Sequence, residues 1–275
     1  MQSVGEETRR AGGKIALVPT MGGLHEGHLA LMDYGRSKAD LLVVSIFVNP
    51  MQFGPKEDFE KYPRDLERDS RLTEKRGVDI IFSPEAQVFY PDFFQTSVTV
   101  EKVTQNLCGA SRPGHFRGVT TVVCKLLHIV KPHLAIFGQK DYQQWMAIRQ
   151  MVEDLNMDIE VSGYPTVREA DGLAMSSRNV YLSPEERVSA RSLSQALKEA
   201  KALSLKGEKK CSVLLSRVVG LINQQPHTRI DYAKICHHRT LEELTVIKDR
   251  GVLALAVWVG STRLIDNCLL ENEES

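Results

Sequence analysis

Lys14-Ile15-Ala16-Leu17-Val18-Pro19-Thr20-Met21-Gly22-Gly23-Leu24-His25-Glu26-Gly27-His28 is the stretch on which the fold of this 275-residue chain turns. Ile15 to Val18 is a short apolar run of the kind that forms a buried strand, and Pro19 with the Gly22-Gly23 pair stops it. A turn follows, then a helix from near Gly27. His25 and His28, three residues apart, share one face of the first helical turn, with Gly27 leaving no side chain between them. A helix N-terminus offers unpaired N–H groups and partial positive charge, and the imidazoles add donors beside it. A residue without a Cβ also lets a ribose or a flat ligand approach the backbone. The pattern suits a nucleoside triphosphate. On this pair alone, a strand, turn and helix with two locally satisfied histidines would read the same way.

Composition narrows the field. Lysine plus arginine and aspartate plus glutamate number 35 each, so no overall field draws in polyanions and no nucleic-acid partner is expected. Cys108, Cys124, Cys211, Cys236 and Cys268 contain no Cys-x-x-Cys pair. They read as reduced thiols of a cytoplasmic protein, not as a disulfide framework or a zinc site. No apolar run approaches membrane-spanning length, and Met1 to Arg10 lacks a secretory apolar core, so no membrane partner is expected. A chain of this length buries a substantial core and divides into two domains.

Leu41 to Val48 is a continuous Val- and Ile-rich run, the signature of a strand buried on both faces. Asn49-Pro50-Met51-Gln52-Phe53-Gly54-Pro55 then lies beyond the carboxyl end of that strand, where an open parallel sheet places ligand groups. A charged helix is expected over Glu57 to Arg76, a strand over Val78 to Phe82, an irregular segment over Pro84 to Gln95 and a short strand over Thr96 to Val100. A buried helix over Val119 to Val130 follows the loop Ser111 to Gly118. His133 to Phe137 and Tyr142 to Leu155 repeat strand and helix. This alternation implies an α/β fold, with a Rossmann-like parallel sheet domain over residues 1–167. Residues 168–275 differ in pattern. Ser183, Pro184 and Glu185-Glu186 start a helix that runs past Lys201, and another covers Cys211 to Asn223. Strands are expected over Ile230 to Ile235, Val252 to Val259 and Leu264 to Leu269. Helices followed by strands give a smaller C-terminal α+β domain with an antiparallel sheet, expected to act as a lid.

Two further clusters suit phosphate. Gly138-Gln139-Lys140-Asp141 follows a strand and opens a helix; Lys140 can neutralise charge and Asp141 can accept from a ribose hydroxyl. A capping aspartate beside an exposed lysine is the alternative. Asp171-Gly172-Leu173-Ala174-Met175-Ser176-Ser177-Arg178-Asn179 packs hydroxyls and a guanidinium into one turn, where an ordinary polar interdomain loop is the alternative. Adjacent His237 and His238 sit on opposite faces of a strand and read as a surface pair, not a metal site.

His25-Glu26-Gly27-His28 resembles the His-x-Gly-His box of the nucleotidyltransferase superfamily. Phe47-Val48-Asn49-Pro50-Met51-Gln52-Phe53, Lys140-Asp141-Tyr142-Gln143-Gln144, Pro165 to Asn179 and Arg263-Leu264-Ile265-Asp266-Asn267 follow it in order. With these blocks the chain from Lys14 to Leu269 resembles the pantoate–β-alanine ligase (pantothenate synthetase) family. The resemblance implies ATP-dependent joining of pantoate to β-alanine through pantoyl adenylate, with Mg²⁺ on the triphosphate, in a cytoplasmic homodimer. It assigns phosphate binding and catalysis to His25, His28, Lys140, Ser176, Ser177 and Arg178, with His28 at the position of the proton donor. The ATP site further takes in Met21, Gly22, Gly23, Leu24, Glu26, Gly27, Gly138, Gln139, Asp141, Val167 and Met175. Gln52 and Gln144 match the pantoate positions, their primary amides supplying neutral donors and acceptors that repel neither reactant. Gln52, Asn49, Arg112 and His115 are candidates for receiving β-alanine, though His115 would serve equally as a loop-stabilising histidine. Asp69 is a candidate metal contact, with solvated surface charge as its alternative.

Two departures stand out. Position 139 is glutamine where the family usually has glutamate, and Met1 to Gly13 is too short for both the strand and the helix that usually precede the histidine box. Two rival readings share the same blocks. Another nucleotidyltransferase, either tRNA-charging or cofactor-adenylylating, is opposed by the balanced charge and by Gln52 with Gln144. A non-catalytic nucleotide sensor would predict a damaged histidine box or lysine loop.

Overall fold

The apolar run before the histidines forms a central strand in the computed structural model of the chain, which describes residues 1–55 and 57–271. Helix α1 (Gln2–Arg10) precedes β1 (Ile15–Thr20); α2 (Glu26–Arg36), β2 (Leu41–Ile46), α3 (Leu66–Glu74), β3 (Ile80–Phe82) and the short α4 (Ala86–Phe89) follow. Next come α5 (Cys108–Ser111), α6 (His115–Val130), β4 (Leu134–Gly138), α7 (Tyr142–Asp154) and β5 (Glu160–Tyr164). Helices α8 (Pro184–Leu205) and α9 (Cys211–Asn223) lead to β6 (Thr228–His237), β7 (Arg250–Val259) and β8 (Thr262–Glu271). The chain divides into two compact units. The first holds Met1–Glu101, Arg112–Gln139 and Gln144–Thr166; the second holds Lys102–Ser111, Lys140–Gln143 and the described residues from Val167 on.

In the first unit five parallel strands lie in the order β3-β2-β1-β4-β5. Ile15, Ala16, Leu17 and Val18 are completely buried, which is why β1 is apolar without alternation. The strand does not stop at Pro19 but runs through it to Thr20. Proline lacks an N–H for the ladder, and pairing of β1 with β4 ends at Leu17, so its ring interrupts nothing on that side. The strand order reverses at β1, so the loop after β1 leaves from the switch point at which doubly wound sheets bind ligands.

Three further expectations needed correction here, and one strand was missed. Helix α6 begins at His115 and not at Val119. The charged helix begins only at Leu66, because the Arg64 guanidinium donates to the carbonyls of Phe59, Glu60 and Tyr62 and Asp65 caps the later start. Thr96 to Val100 forms no strand: Val98 gives its N–H to Thr121 Oγ1 at 3.0 Å and takes Thr120 Oγ1 on its carbonyl at 2.7 Å, so hydroxyls of α6 replace a ladder. β5 went unrecognised because Glu160-Val161-Ser162-Gly163-Tyr164 is an edge strand with a polar, half-exposed pattern. Its glycine is needed, since a Cβ at Gly163 would stand 2.5 Å from the Trp145 ring.

The second unit carries the antiparallel sheet β6-β7-β8. Helices α8 and α9 bury Leu193, Leu197, Leu214 and Val218 with Leu253, Leu255 and Val257 of β7 in one apolar core. The start of α8 is a full capping box between Ser183 and Glu186 with Pro184 behind the cap, as the sequence predicts.

His133 ties β1 to β4 by accepting the Ile15 N–H on Nδ1 at 3.0 Å. Burial and the nearby Arg9 cation, with Lys14, hold its pKa below the usual 6.5 against the opposing Asp158. A depressed pKa means the unfolded chain binds the proton more readily, so the bond's stabilisation is present above pH 6.5 and is lost as pH falls through the folded-state value. Denaturant titrations across this window should show stability declining with acidity in the wild type. The decline should be smaller in His133→Asn, whose amide oxygen accepts from Ile15 without titrating.

Candidate active site

The histidine box builds its own helix start. His25 is the N-cap of α2 and takes the Gly27 N–H on Nδ1 at 3.2 Å, while His28 Nδ1 accepts the His25 N–H at 3.4 Å. The rings stack with centroids 4.0 Å apart. Both Nδ1 atoms are therefore acceptors, which puts the proton of each neutral ring on Nε2 and makes that atom the donor suited to phosphate chemistry. Gly27's N–H belongs to this cap and is not one of the open donors of the helix end. Behind the box, Asp69 is fully buried and not surface charge. Its carboxylate accepts the N–H of Gly23 at 2.8 Å and of Leu24 at 3.0 Å, with Arg68 Nη1 at 3.3 Å. Gly22 turns the chain with φ +80°, and a Cβ there would press on Asp69 Oδ2 at 3.0 Å.

The loop after β2 is organised by Asn49, which is 1% exposed. Its Nδ2 donates to Gln52 Oε1 at 3.0 Å and to the Gly118 carbonyl at 3.1 Å; its Oδ1 accepts Tyr90 Oη at 2.9 Å and the Met51 N–H at 3.2 Å. Burial pushes the Tyr90 phenol well above its usual pKa, which keeps it a neutral donor. Gln52 Nε2 reaches the Met21 sulfur at 3.0 Å and so links this loop to the turn after β1. Helix α6 meets the loop backbone to backbone, and only Gly118 allows it: a Cβ would collide with the Met51 carbonyl and stand 2.6 Å from Gln52 N. Arg112 and His115 join the same group, with both Glu57 oxygens paired to one edge of the guanidinium, at Nε and Nη2, each at 2.6 Å. Gln144 lies half-buried in the first turn of α7, and no hydrogen bond joins it to Gln52. Gln139 donates to the Gly163 carbonyl at 3.2 Å, and a Cβ at Gly138 would meet nothing within 4 Å.

In the second unit Lys140 lies 3.8 Å from Asp141. Its carbonyl accepts Asn267 Nδ2 at 2.8 Å, and the Asp266 beside Asn267 is held by Arg168 through contacts of 2.7 and 3.0 Å. Residues Val167 to Met175 form a closed turn, with Met175 N–H on the Val167 carbonyl and Glu169 N–H on that of Leu173. Ser176 Oγ accepts the Arg178 N–H at 3.2 Å and starts the single helical turn Ser177–Tyr181. Glu169 receives Asn179 at 2.6 Å and Arg187, which also binds Asp171 at 3.0 Å. Sequence reasoning missed Glu57, Tyr90, Gly118, Arg187 and Asn267 as supports. Of these, Gly118 and Asn267 stand inside segments that the sequence singles out, so a glycine and an amide with no assigned task were the signals to follow.

Among the described residues no group of three or more His, Cys, Asp or Glu could hold a metal ion. No helix among them is long and apolar enough to cross a membrane.

Strand order and loops together define a Rossmann-like α/β protein built to handle a nucleotide, with a separate small antiparallel sheet. A family model described as pantoate-beta-alanine ligase matches residues 1–269. Relatives named pantothenate synthetase include that of Syntrophus aciditrophicus (strain SB), 58% identical over 273 residues, with 99% of this chain and 96% of that protein covered. That of Geobacter sulfurreducens is 56% identical over 274 residues, covering 100% of this chain and 97% of that protein. A crystal structure of pantothenate synthetase from Thermus thermophilus matches with a TM-score of 0.91 at 46% identity, covering 96% of each chain. Pantoate-beta-alanine ligase from Francisella tularensis, complexed with Beta-gamma ATP and Beta-alanine, matches with a TM-score of 0.77 at 33% identity, covering 97% of this chain and 95% of that one. The chain belongs to the pantoate–β-alanine ligase family, and it is an enzyme of the ligase class.

Two substitutions test the supports. Asp69→Asn replaces one acceptor oxygen with a donor facing backbone N–H, and should lower stability by about 1.5–3 kcal/mol in urea unfolding. Gly118→Ala should displace the Gln52 turn at a cost of about 1–3 kcal/mol, read in the same unfolding experiment, and weaken carboxylic-acid substrate binding.

Proposed function

We propose that this enzyme joins pantoate to β-alanine in two steps at the residues named above, the intact histidine box being the observation that carries the reading. The overall reaction is ATP-dependent pantothenate synthesis, as the family membership supports. In the first step pantoate's carboxylate attacks the α-phosphorus of ATP, the bond to the bridging oxygen breaks, and pyrophosphate leaves. In the second, the β-alanine amine attacks the acyl carbon, loses a proton, and expels AMP.

Two anions must meet in the first step, so the chain has to hold them in line and absorb charge developing toward pyrophosphate. The Nε2–H groups of His25 and His28 are suited to that task, His28 as proton donor, and Lys140, Ser176, Ser177 and Arg178 supply further donors. Met21 to Leu24, Glu26, Gly27, Gly138, Gln139, Asp141, Val167 and Met175 complete the ATP site. Gln52 and Gln144 take pantoate; Gln52, Asn49, Arg112 and His115 form the β-alanine end. Mg²⁺ would be bound mainly by the phosphates, where it screens their charge; Asp69, the candidate metal contact, is buried with its oxygens on Gly23, Leu24 and Arg68 and serves the turn, not the cation. The enzyme is a cytoplasmic homodimer in this reading; its five unpaired cysteines support a reducing compartment, and light scattering tests the assembly.

Pyrophosphate exchange into ATP, with Mg²⁺ and pantoate but without β-alanine, isolates the first step. Wild type should exchange only when pantoate is present. His28→Ala and Lys140→Ala should each cut the rate by about 10²–10³ while circular dichroism stays native, and a wild-type rate in His28→Ala would remove its assigned role.

A further inference from the structure

Glu57 enters the β-alanine end of the site without any role in the assignments above. Its two carboxylate oxygens hold Arg112 Nε and Nη2, each at 2.6 Å, and Oε2 also accepts the Gly54 N–H at 3.1 Å. The same guanidinium reaches the Gln52 carbonyl with Nη2 at 3.3 Å and His115 Nε2 with Nη1 at 3.0 Å. Arginine has only donors, so His115 Nε2 must be the acceptor and its proton must sit on Nδ1. Nδ1 lies 2.8 Å from the Gln52 carbonyl, which is then the acceptor of that proton. Four of the guanidinium's five N–H groups are committed to this set, and both ring nitrogens of His115 are engaged.

We propose that Glu57 is a positioning residue: by fixing Arg112 it locks His115 in the Nδ1–H tautomer, and the pair holds the Gln52 backbone so that its side-chain amide is presented to pantoate. The clamp also pairs the charge of the guanidinium. Burial raises the Glu57 pKa, but its hydrogen bond and charge pairing with Arg112 outweigh burial and leave it lowered, so the carboxylate stays ionised near neutrality.

This inference rests on the assignment of Gln52 to pantoate. The test uses the full-length chain with ¹⁵N-labelled histidine. In wild type, His115 should show a protonated Nδ1 and an unprotonated Nε2, and Glu57→Gln should lose that fixed pattern. The same variant should raise the pantoate KM in pyrophosphate exchange on the order of tenfold or more, as expected for a lost charge-assisted contact, with a much smaller fall in kcat. Glu57→Asp should recover part of the KM. A wild-type His115 protonated on Nε2 overturns the proposal even if the variants do not fold, as does an unchanged KM in a folded Glu57→Gln. Wild type lacking pantoate-dependent exchange rejects the functional assignment instead, and the tautomer pattern still decides the clamp.

Discussion

The buried Asp69 carboxylate is the constraint on which the turn before the histidine box depends. A carboxylate without partners is costly to bury, and here the Gly23 and Leu24 N–H groups with Arg68 offset that cost. In return the bonds fix a turn that would otherwise be loose, because Gly22 and Gly23 both adopt positive φ and contribute no side chain to pack. The turn sets where His25 begins α2, and the cap then decides which nitrogen of each histidine carries its proton. Loop, helix start and proton placement follow from one side chain on α3, far along the chain from the turn it holds.

Asn49 has the corresponding role in the loop after the neighbouring strand β2. A carboxamide has two donors and an acceptor with two lone pairs, and here all are used: Gln52 and Gly118 on the nitrogen, Tyr90 and Met51 on the oxygen. Removing the amide would leave several buried groups unpaired at once. The Gln52 side chain is thereby already oriented, and in the role proposed for it its neutral amide adds no charge where two anions would approach. Arg112, the nearby cation, is matched by Glu57.

Legibility in the sequence followed burial and spacing. Strands β1 and β2 were plain because burial on both faces demands unbroken apolar runs, and the α8 start because capping chemistry is local. The missing strand at Thr96 and the late start of α3 were not, because the partners that decided them are a pair of threonine hydroxyls on α6 and one arginine side chain. The site shows the same division. Residues assigned to phosphate lie in compact blocks with their own turn chemistry, while the groups that hold them come from distant segments, as Asp69 does for Gly23 and Asn267 for Lys140. A carboxylate on a charged helix gives no sign in sequence that it faces inward.

The second unit shows that this separation of labour is general in the molecule. Glu169 holds Asn179 and Arg187, Asp171 shares that arginine, and Asp266 holds Arg168. These carboxylates lie close to a turn whose assigned work is to bind a polyanion, and left unpaired they would repel it. Pairing each with an arginine or a backbone donor removes most of that repulsion and converts the charge into rigidity. The bracing arginines Arg168 and Arg187 are spent in the process, so the cationic groups assigned to ATP are other ones, Lys140 and Arg178. Preorganisation requires this ordering: a loop can hold a phosphate in fixed geometry only if its own shape does not depend on that phosphate arriving.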